Sequence, residues 1–223
     1  MVDLLFIEST FAYLLTGLTI TLEISLAGFV IGFFLSALMT PLRIFGDRFT
    51  SSIITSYVEA LRGTPLLVQI FFVYFGLPYL GINFDAVTAG ILTLGLNSAA
   101  YQAEILRGSI NAIPIEQYYS AQSLGMRRFH VYRYIILPQA VRYAIPALMN
   151  ELVTLIKESS LVSVIGVAEL TRKGEYIVAT TFRAFEVYLL VALVYFIICY
   201  SLVKVSKIIE GKIRIPGYMP RRL

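Results

Sequence analysis

The chain has 223 residues, of which 58% are hydrophobic and 14% charged, with a mean hydropathy of +0.78 and a formal net charge of +4. Set against roughly 25% charged residues in a typical soluble domain, this composition argues against a soluble globular protein, and its many aromatic and β-branched residues exclude intrinsic disorder. A single cysteine, Cys199, cannot form an internal disulfide; with one histidine, His130, the chain offers no Cys/His cluster for zinc and little acid–base or metal chemistry.

A helix needs about 20 mostly apolar residues to cross a bilayer, and five stretches qualify. The first runs from Phe11 to about Met39, with Glu23 as its only charge. Asp3 and Glu8 precede it where a signal peptide would carry basic residues, so it is read as a span. The second runs from about Ile53 to Leu80 and is interrupted by Arg62-Gly63-Thr64-Pro65. Pro65 removes a backbone hydrogen bond and kinks or breaks a helix. Irregular backbone at membrane depth is tolerated where it is buried in protein or lines a cavity. Thr64 then satisfies a freed carbonyl, contacts a substrate, or sits in a kink that only shapes packing. Gln69 lies roughly one turn beyond Pro65. The third span, from about Val87 to Leu106, contains Asn97-Ser98-Ala99-Ala100. Such small polar residues suit close helix packing, with pathway lining by Asn97 and Ser98 as the alternative.

The next segment, about 107–142, is too polar to span and too long for a simple connection. Ile113-Pro114-Ile115-Glu116 reads as a helix start, because proline fits the first turn and Glu116 complements the positive end of the helix dipole. Gly125 is suited to the left-handed conformation that ends a helix. A second short helix begins near Arg127 and leads to Pro138. The pair forms either a docking surface or a structured loop packed on the bundle.

The fourth span, from about Ala144 to Ile165, carries Glu151, Lys157 and Glu158. Charges in the hydrocarbon are expensive and face the bundle interior or water. Lys157 and Glu158 are adjacent and point about 100° apart on a helix. They offer both signs to one polar cavity, as an amino acid zwitterion requires, or they join an ion-pair network with Glu151, Glu104 or Arg62. The fifth span, Val187 to Val203, is the cleanest. Glu23 and Glu59 receive no role, and Cys199 is read as a small core residue.

Five spans put the termini on opposite sides. Segments 41–50, 107–142 and 204–223 share one side and hold 13 of the 18 Lys and Arg residues; Arg172, Lys173 and Arg183 lie on the other. By the positive-inside rule the N-terminus is outside and the C-terminus cytoplasmic. The basic balance thus reports the membrane surface and gives no support to nucleic acid as a partner. The expected fold is an all-α integral membrane domain over 1–223, with five transmembrane helices and two short cytoplasmic helices.

Tyr119-Ser120-Ala121, three residues, Gly125, nine residues and Ile135-Ile136-Leu137-Pro138 resemble the E-A-A loop of binding-protein-dependent ABC importers. Tyr119 stands where that family has Glu, and Ser120 where it has Ala. Further pieces resemble its polar amino acid permease branch: Glu59-Ala60-Leu61-Arg62-Gly63-Thr64-Pro65-Leu66-Leu67-Val68-Gln69, Asn97-Ser98-Ala99-Ala100-Tyr101 with Glu104, and Lys157-Glu158-Ser159-Ser160-Leu161-Val162-Ser163. The resemblance spans roughly residues 10–205. It implies a cell-membrane permease that pairs with a second copy or a sister chain, takes polar or basic amino acids from an external binding protein, and docks on an ATPase subunit holding ATP and Mg. It implies ATPase coupling through Tyr119, Ser120, Ala121, Gly125, Arg127 and Arg128. Candidate substrate-binding residues are Glu158, Lys157, Gln69, Thr64, Asn97 and Ser98.

Three function classes make different demands on such a chain. A permease subunit explains the long polar loop. Without a G-x-x-x-x-G-K-[ST] phosphate loop the chain is not itself the ATPase, and it carries no cofactor of its own. A stand-alone transporter or channel would couple ions to intramembrane charges and would have no need of that loop. A membrane enzyme would need a nucleophile–base pair or metal ligands in a span, and none is found.

Overall fold

A computed structural model describes residues 4–213. Asp3, Arg214, Arg221 and Arg222, used above for the leader and orientation arguments, lie outside the described residues. The described residues are helical, with no strand among them.

Helix α1 (Leu4–Phe45) is apolar on nearly every side. Its buried face takes in small and hydroxylated residues beside Leu14 and Ile24: Thr21, Ser25 and Ser36 are fully buried while Phe34 and Leu38 are exposed. That inversion suits a helix in lipid, where small residues let neighbours approach and large apolar ones face the acyl chains. The hydroxyls are satisfied within the helix, Thr21 Oγ1 donating to the Gly17 carbonyl at 3.2 Å and Ser25 Oγ to that of Thr21 at 2.7 Å.

Helix α2 (Arg48–Gly63) is capped by Asp47, whose carboxylate accepts from the Thr50 amide at 3.2 Å. Helix α3 (Leu66–Phe71) follows and runs on through a π turn (Phe72–Gly76) and a 3-10 turn (Leu77–Leu80). The two halves of the expected second span are bent by 106° at the break. Helix α4 (Ala86–Asn111) is capped by Asp85, which accepts from the Val87 and Thr88 amides at 3.1 Å each. It packs most extensively against α1. Glycine makes that approach possible: a Cβ on Gly32 would stand 2.8 Å from Gln102 Nε2 and 3.0 Å from the Ala99 nitrogen.

Helix α5 (Ile115–Ser123) and helix α6 (Arg128–Val131) are the two expected short helices. The second is not a separate unit, because a π turn (Tyr132–Ile136) carries α6 straight into helix α7 (Leu137–Glu158), with Pro138 in the first turn. There the missing proline N–H costs nothing. A 3-10 turn (Ser159–Ile165) ends α7 and closes on Gly166 at φ +91.

The expected loop before the last span contains helix α8 (Leu170–Thr181). Its charges resemble a solvated loop in sequence, yet Glu169 caps it, accepting from the Thr171 and Arg172 amides at 2.9 and 2.8 Å. Helix α9 (Ala184–Ile213) is the last of the described helices and packs on α7 and α8. Only α1 and α9 are both long and apolar enough to cross a membrane among the described helices, with the bent α2–α3 pair as a third if it counts as one span. Helices α4 and α7 reach roughly 39 and 33 Å at 1.5 Å per residue, long enough to cross, but they carry polar side chains that they bury against each other and against α1.

Candidate functional site

The break between α2 and α3 organises the first part of the site. Thr64 is extended, and Pro65 has no N–H to return to α2. The carbonyls freed by the break are met by side chains. Thr64 Oγ1 donates to the Ala60 carbonyl at 2.8 Å. Gln69 Nε2 lies 2.8 Å from the Leu61 carbonyl, 3.1 Å from that of Thr64 and 2.9 Å from Thr64 Oγ1. Asn97 on α4 donates to Gln69 Oε1 at 3.0 Å and to the Leu61 carbonyl at 3.3 Å. Thr64, Gln69 and Asn97 are therefore one hydrogen-bonded cluster, anchored to backbone that would otherwise be orphaned at high cost. The Arg62 guanidinium leaves it and lies over the Tyr101 ring at 5.3 Å.

Ser98, one residue on, points to a different neighbour. Its hydroxyl donates to Glu151 Oε1 on α7 at 2.8 Å and accepts from Gln102 Nε2 at 2.9 Å. Glu151 is only 9% exposed, and Gln102 is completely buried and reaches the Phe29 carbonyl on α1 at 3.1 Å. Adjacent residues on α4 thus bind the helix break on one side and α7 on the other. Sequence reasoning used Glu151 only as an ion-pair partner. Its i,i+7 relation to Glu158, which puts both carboxylates on one face of α7, was the signal available.

Glu158 is half-buried and Lys157 exposed at the end of α7. Among the described residues neither is in an ion pair. The network that would have tied them to Glu104 or Arg62 does not form there. Glu104 instead binds Arg43 at 2.9 Å and Arg107 in a close ion pair, fastening α1 to α4 near the α5–α6 end. At the N-caps of α2 and α4, hydrogen bonds from Thr50 and Thr88 hold the Asp47 and Asp85 carboxyls below their ordinary pKa. Among the described residues no group of three His, Cys, Asp or Glu is placed to hold a metal.

At the α5–α6 end, Ala121 and Val131 are buried in a small core with Ile113, Ile136 and Ala140. Gly125 takes φ +82 beyond α5, with the Met126 amide returning to the Ala121 carbonyl at 3.2 Å. This geometry turns Tyr119 (60% exposed), Leu124 (84%) and Phe129 (71%) outward beside Ser120, Arg127 and Arg128. His130 stacks on Tyr134 at 5.9 Å on the same exposed segment. The structure gathers the sequence-predicted residues into three places: Thr64, Gln69 and Asn97 at the break; Ser98 at α7; and the 119–128 set on the outer surface. Lys157 and Glu158 form a fourth, in the last turn of α7.

A model of the family described as "Binding-protein-dependent transport system inner membrane component" matches residues 28–215. The chain is 43% identical over 211 residues to the Probable amino-acid ABC transporter permease protein YckA of Bacillus subtilis (strain 168), covering 92% of this chain and 91% of that one. It is 39% identical over 204 residues to the glutamine transport system permease protein GlnP of Escherichia coli (strain K12), covering 91% and 93%. Among solved structures, a crystal structure of an amino acid ABC transporter with histidines matches with a TM-score of 0.91 and 38% identity, over 95% of this chain and 99% of that one.

Proposed function

This chain belongs to the family of binding-protein-dependent transport system inner membrane components, as an amino acid ABC transporter permease, and from that premise we propose that it is the transmembrane subunit of an ATP-driven importer of polar amino acids, basic ones among them. The observation that carries this reading is the uncovered face of α5 and α6. Tyr119, Leu124 and Phe129 stand exposed beside Arg127 and Arg128 on a segment whose inner side is packed into the bundle. Large apolar groups rimmed by cations mark a protein contact, and the partner proposed is the ATPase subunit, with ATP and Mg bound there. Ser120 and Ala121 keep α5 slim, and Gly125 sets the turn.

Five spans are proposed: α1, the bent α2–α3 pair, α4, α7 with its 3-10 turn, and α9. The N-terminus is then outside and the α5–α6 surface cytoplasmic. A second permease chain completes the translocation path, and an external binding protein delivers the substrate. Glu158 receives the substrate ammonium or a basic side chain, and Lys157 its carboxylate, with Glu151 and Ser98 extending that polar face. Thr64, Gln69 and Asn97 hold the break open toward the path. ATP binding in the partner moves α5 and α6, and this movement switches exposure of the site between the two sides.

The test is ATP-driven uptake of labelled glutamine and arginine into vesicles holding this chain, its ATPase and binding protein, with Glu158→Gln alongside. ATP-dependent uptake that the substitution abolishes is expected. Uptake unaltered by Glu158→Gln removes the site assignment and keeps the importer. Uptake without ATP returns the chain to the stand-alone transporters.

A further inference from the structure

Two adjoining cavities run along the α5–α6 end of the bundle. The first, about 660 Å³, is lined by Pro41, Ile44, Ile113, Phe129 and Tyr132, with Arg128 and Asn111 among its few polar contributors. The second, about 260 Å³, shares Pro41, Ile110 and Tyr132 with the first and continues between α1, α4 and α7 past Ala37 and Val141 to Phe33 and Leu148. Together they make one groove that starts beside a cation and ends among apolar side chains. Along α7, from Leu137 to Leu148, it follows roughly 16 Å of helix. Its volumes are of the order that ligand sites have, about 300–1,000 Å³.

We propose that this groove is a binding site for an anionic glycerophospholipid of the cytoplasmic leaflet, with one acyl chain lying between α1, α4 and α7 and the headgroup phosphate at Arg128. Three observations select this occupant. The wall beyond Tyr132 is apolar, so it satisfies an acyl chain and nothing polar. An extended peptide there would leave backbone groups unpaired at membrane depth, which hydrocarbon does not tolerate. Arg128 is exposed at the mouth and, among the described residues, in no ion pair. Basic residues at a pocket between helices on the cytoplasmic side recognise anionic headgroups. The groove also underlies α6, so a seated lipid would support the surface proposed to meet the ATPase.

This inference rests on the membrane disposition proposed above. The complex with its ATPase would be reconstituted in nanodiscs containing phosphatidylglycerol that carries a photoactivatable group in mid-chain. Labelled peptides are expected from 106–111 and 132–148. Excess phosphatidylglycerol should suppress the labelling, and phosphatidylcholine should not. Ala37→Trp and Val141→Trp place a ring in the groove from exposed wall positions. Each should reduce groove labelling to background while labelling of the exposed α9 face persists and the complex still assembles. Arg128→Gln should cost roughly fivefold in preference for the anionic lipid, as expected for about 1 kcal/mol per basic residue at a membrane surface. A groove left unlabelled while α1 and α9 take the probe overturns the proposal. So does equal competition by phosphatidylcholine, or labelling unchanged in both tryptophan variants. The probe reads binding whichever way the chain is inserted. Cysteine accessibility of Ser120→Cys, with Cys199 replaced, reads the disposition separately, so the two readings fail apart.

Discussion

Gly32 gives the sharpest test of how α1 and α4 are held together. In Gly32→Ala the new Cβ would meet Gln102 Nε2 at 2.8 Å, the Ala99 nitrogen at 3.0 Å and the Gly95 carbonyl at 3.2 Å. Carbon contacts settle near 3.5–4.0 Å, and two of the three obstacles are backbone of α4, so α1 must move off by about half an ångström or more. A gap of that size forfeits a quarter to a half of each dispersion contact along the seam, where Gly28 and Gly95 likewise leave no room for a Cβ beside Leu94 and Ile31. The Gln102 to Phe29 bond, already 3.1 Å, would stretch toward breaking, which costs about 1 kcal/mol or more for a buried amide. With overpacking at about 1–3 kcal/mol, the loss is roughly 2–4 kcal/mol, against a helix-propensity gain of about 1 kcal/mol for alanine over glycine. The net expectation is destabilisation of roughly 1–3 kcal/mol. Gly108→Ala is the control, because it lies in α4, the helix that Gly32 packs against, with nothing within 4 Å of its Cβ, and it should stabilise by about 0.4–1 kcal/mol. Thermal unfolding in detergent, followed by size-exclusion chromatography of a fluorescently tagged chain, measures both. A melting temperature for Gly32→Ala at or above that of the unaltered chain would refute the argument.

Ser98→Ala and Glu151→Gln should each reduce ATP-driven uptake, and their double-mutant cycle should show a coupling of about 0.5–3 kcal/mol; additive effects would break the link between α4 and α7. Gln69→Ala strips the Thr64 carbonyl of its side-chain donor and leaves the Leu61 carbonyl to Asn97 alone, and should destabilise by about 1–3 kcal/mol, with Asn97→Ala costing more in that background because it removes the remaining donor to Leu61. The Asp85 carboxyl is held below its ordinary pKa by Thr88, so its contribution is complete at neutral pH and disappears as pH falls below about 4. Asp85→Ala should remove that part of the acid dependence of melting. Leu124→Asp, at a site 84% exposed, should leave the melting temperature within about 0.5 kcal/mol of stability yet prevent co-purification with the ATPase.

What the sequence disclosed was local. Pro114 and Gly125 announced the ends of α5 because each backbone demand has few residues that meet it, and the apolar runs located the long helices. The break at Pro65 was legible, but its 106° angle was not, because the angle depends on how Gln69 and Asn97 tie the two halves to α4. Ser98 was legible as a small polar residue but not as the partner of Glu151, since the two lie 53 positions apart. Helix α8 hid behind Arg172, Lys173 and Glu175, whose density looks like a loop; its cap at Glu169 was the available clue. Lys157 and Glu158 were found by their charge, and charge alone did not tell that they sit in the last turn of α7, just before the helix tightens into a 3-10 turn.

The run from Arg128 to Glu158 has a mechanical consequence. Because α6, the π turn and α7 are continuous, they form one strut of roughly 46 Å at 1.5 Å per residue. A strut transmits push and pull along its axis almost without loss, but Pro146 removes one rung inside it and leaves a compliant point against sideways bending. In the importer proposed above, axial travel at the α6 end would reach Glu151 and Glu158 at nearly full stroke, whereas a lateral swing would be absorbed at Pro146, so a driving partner would act mainly along that axis.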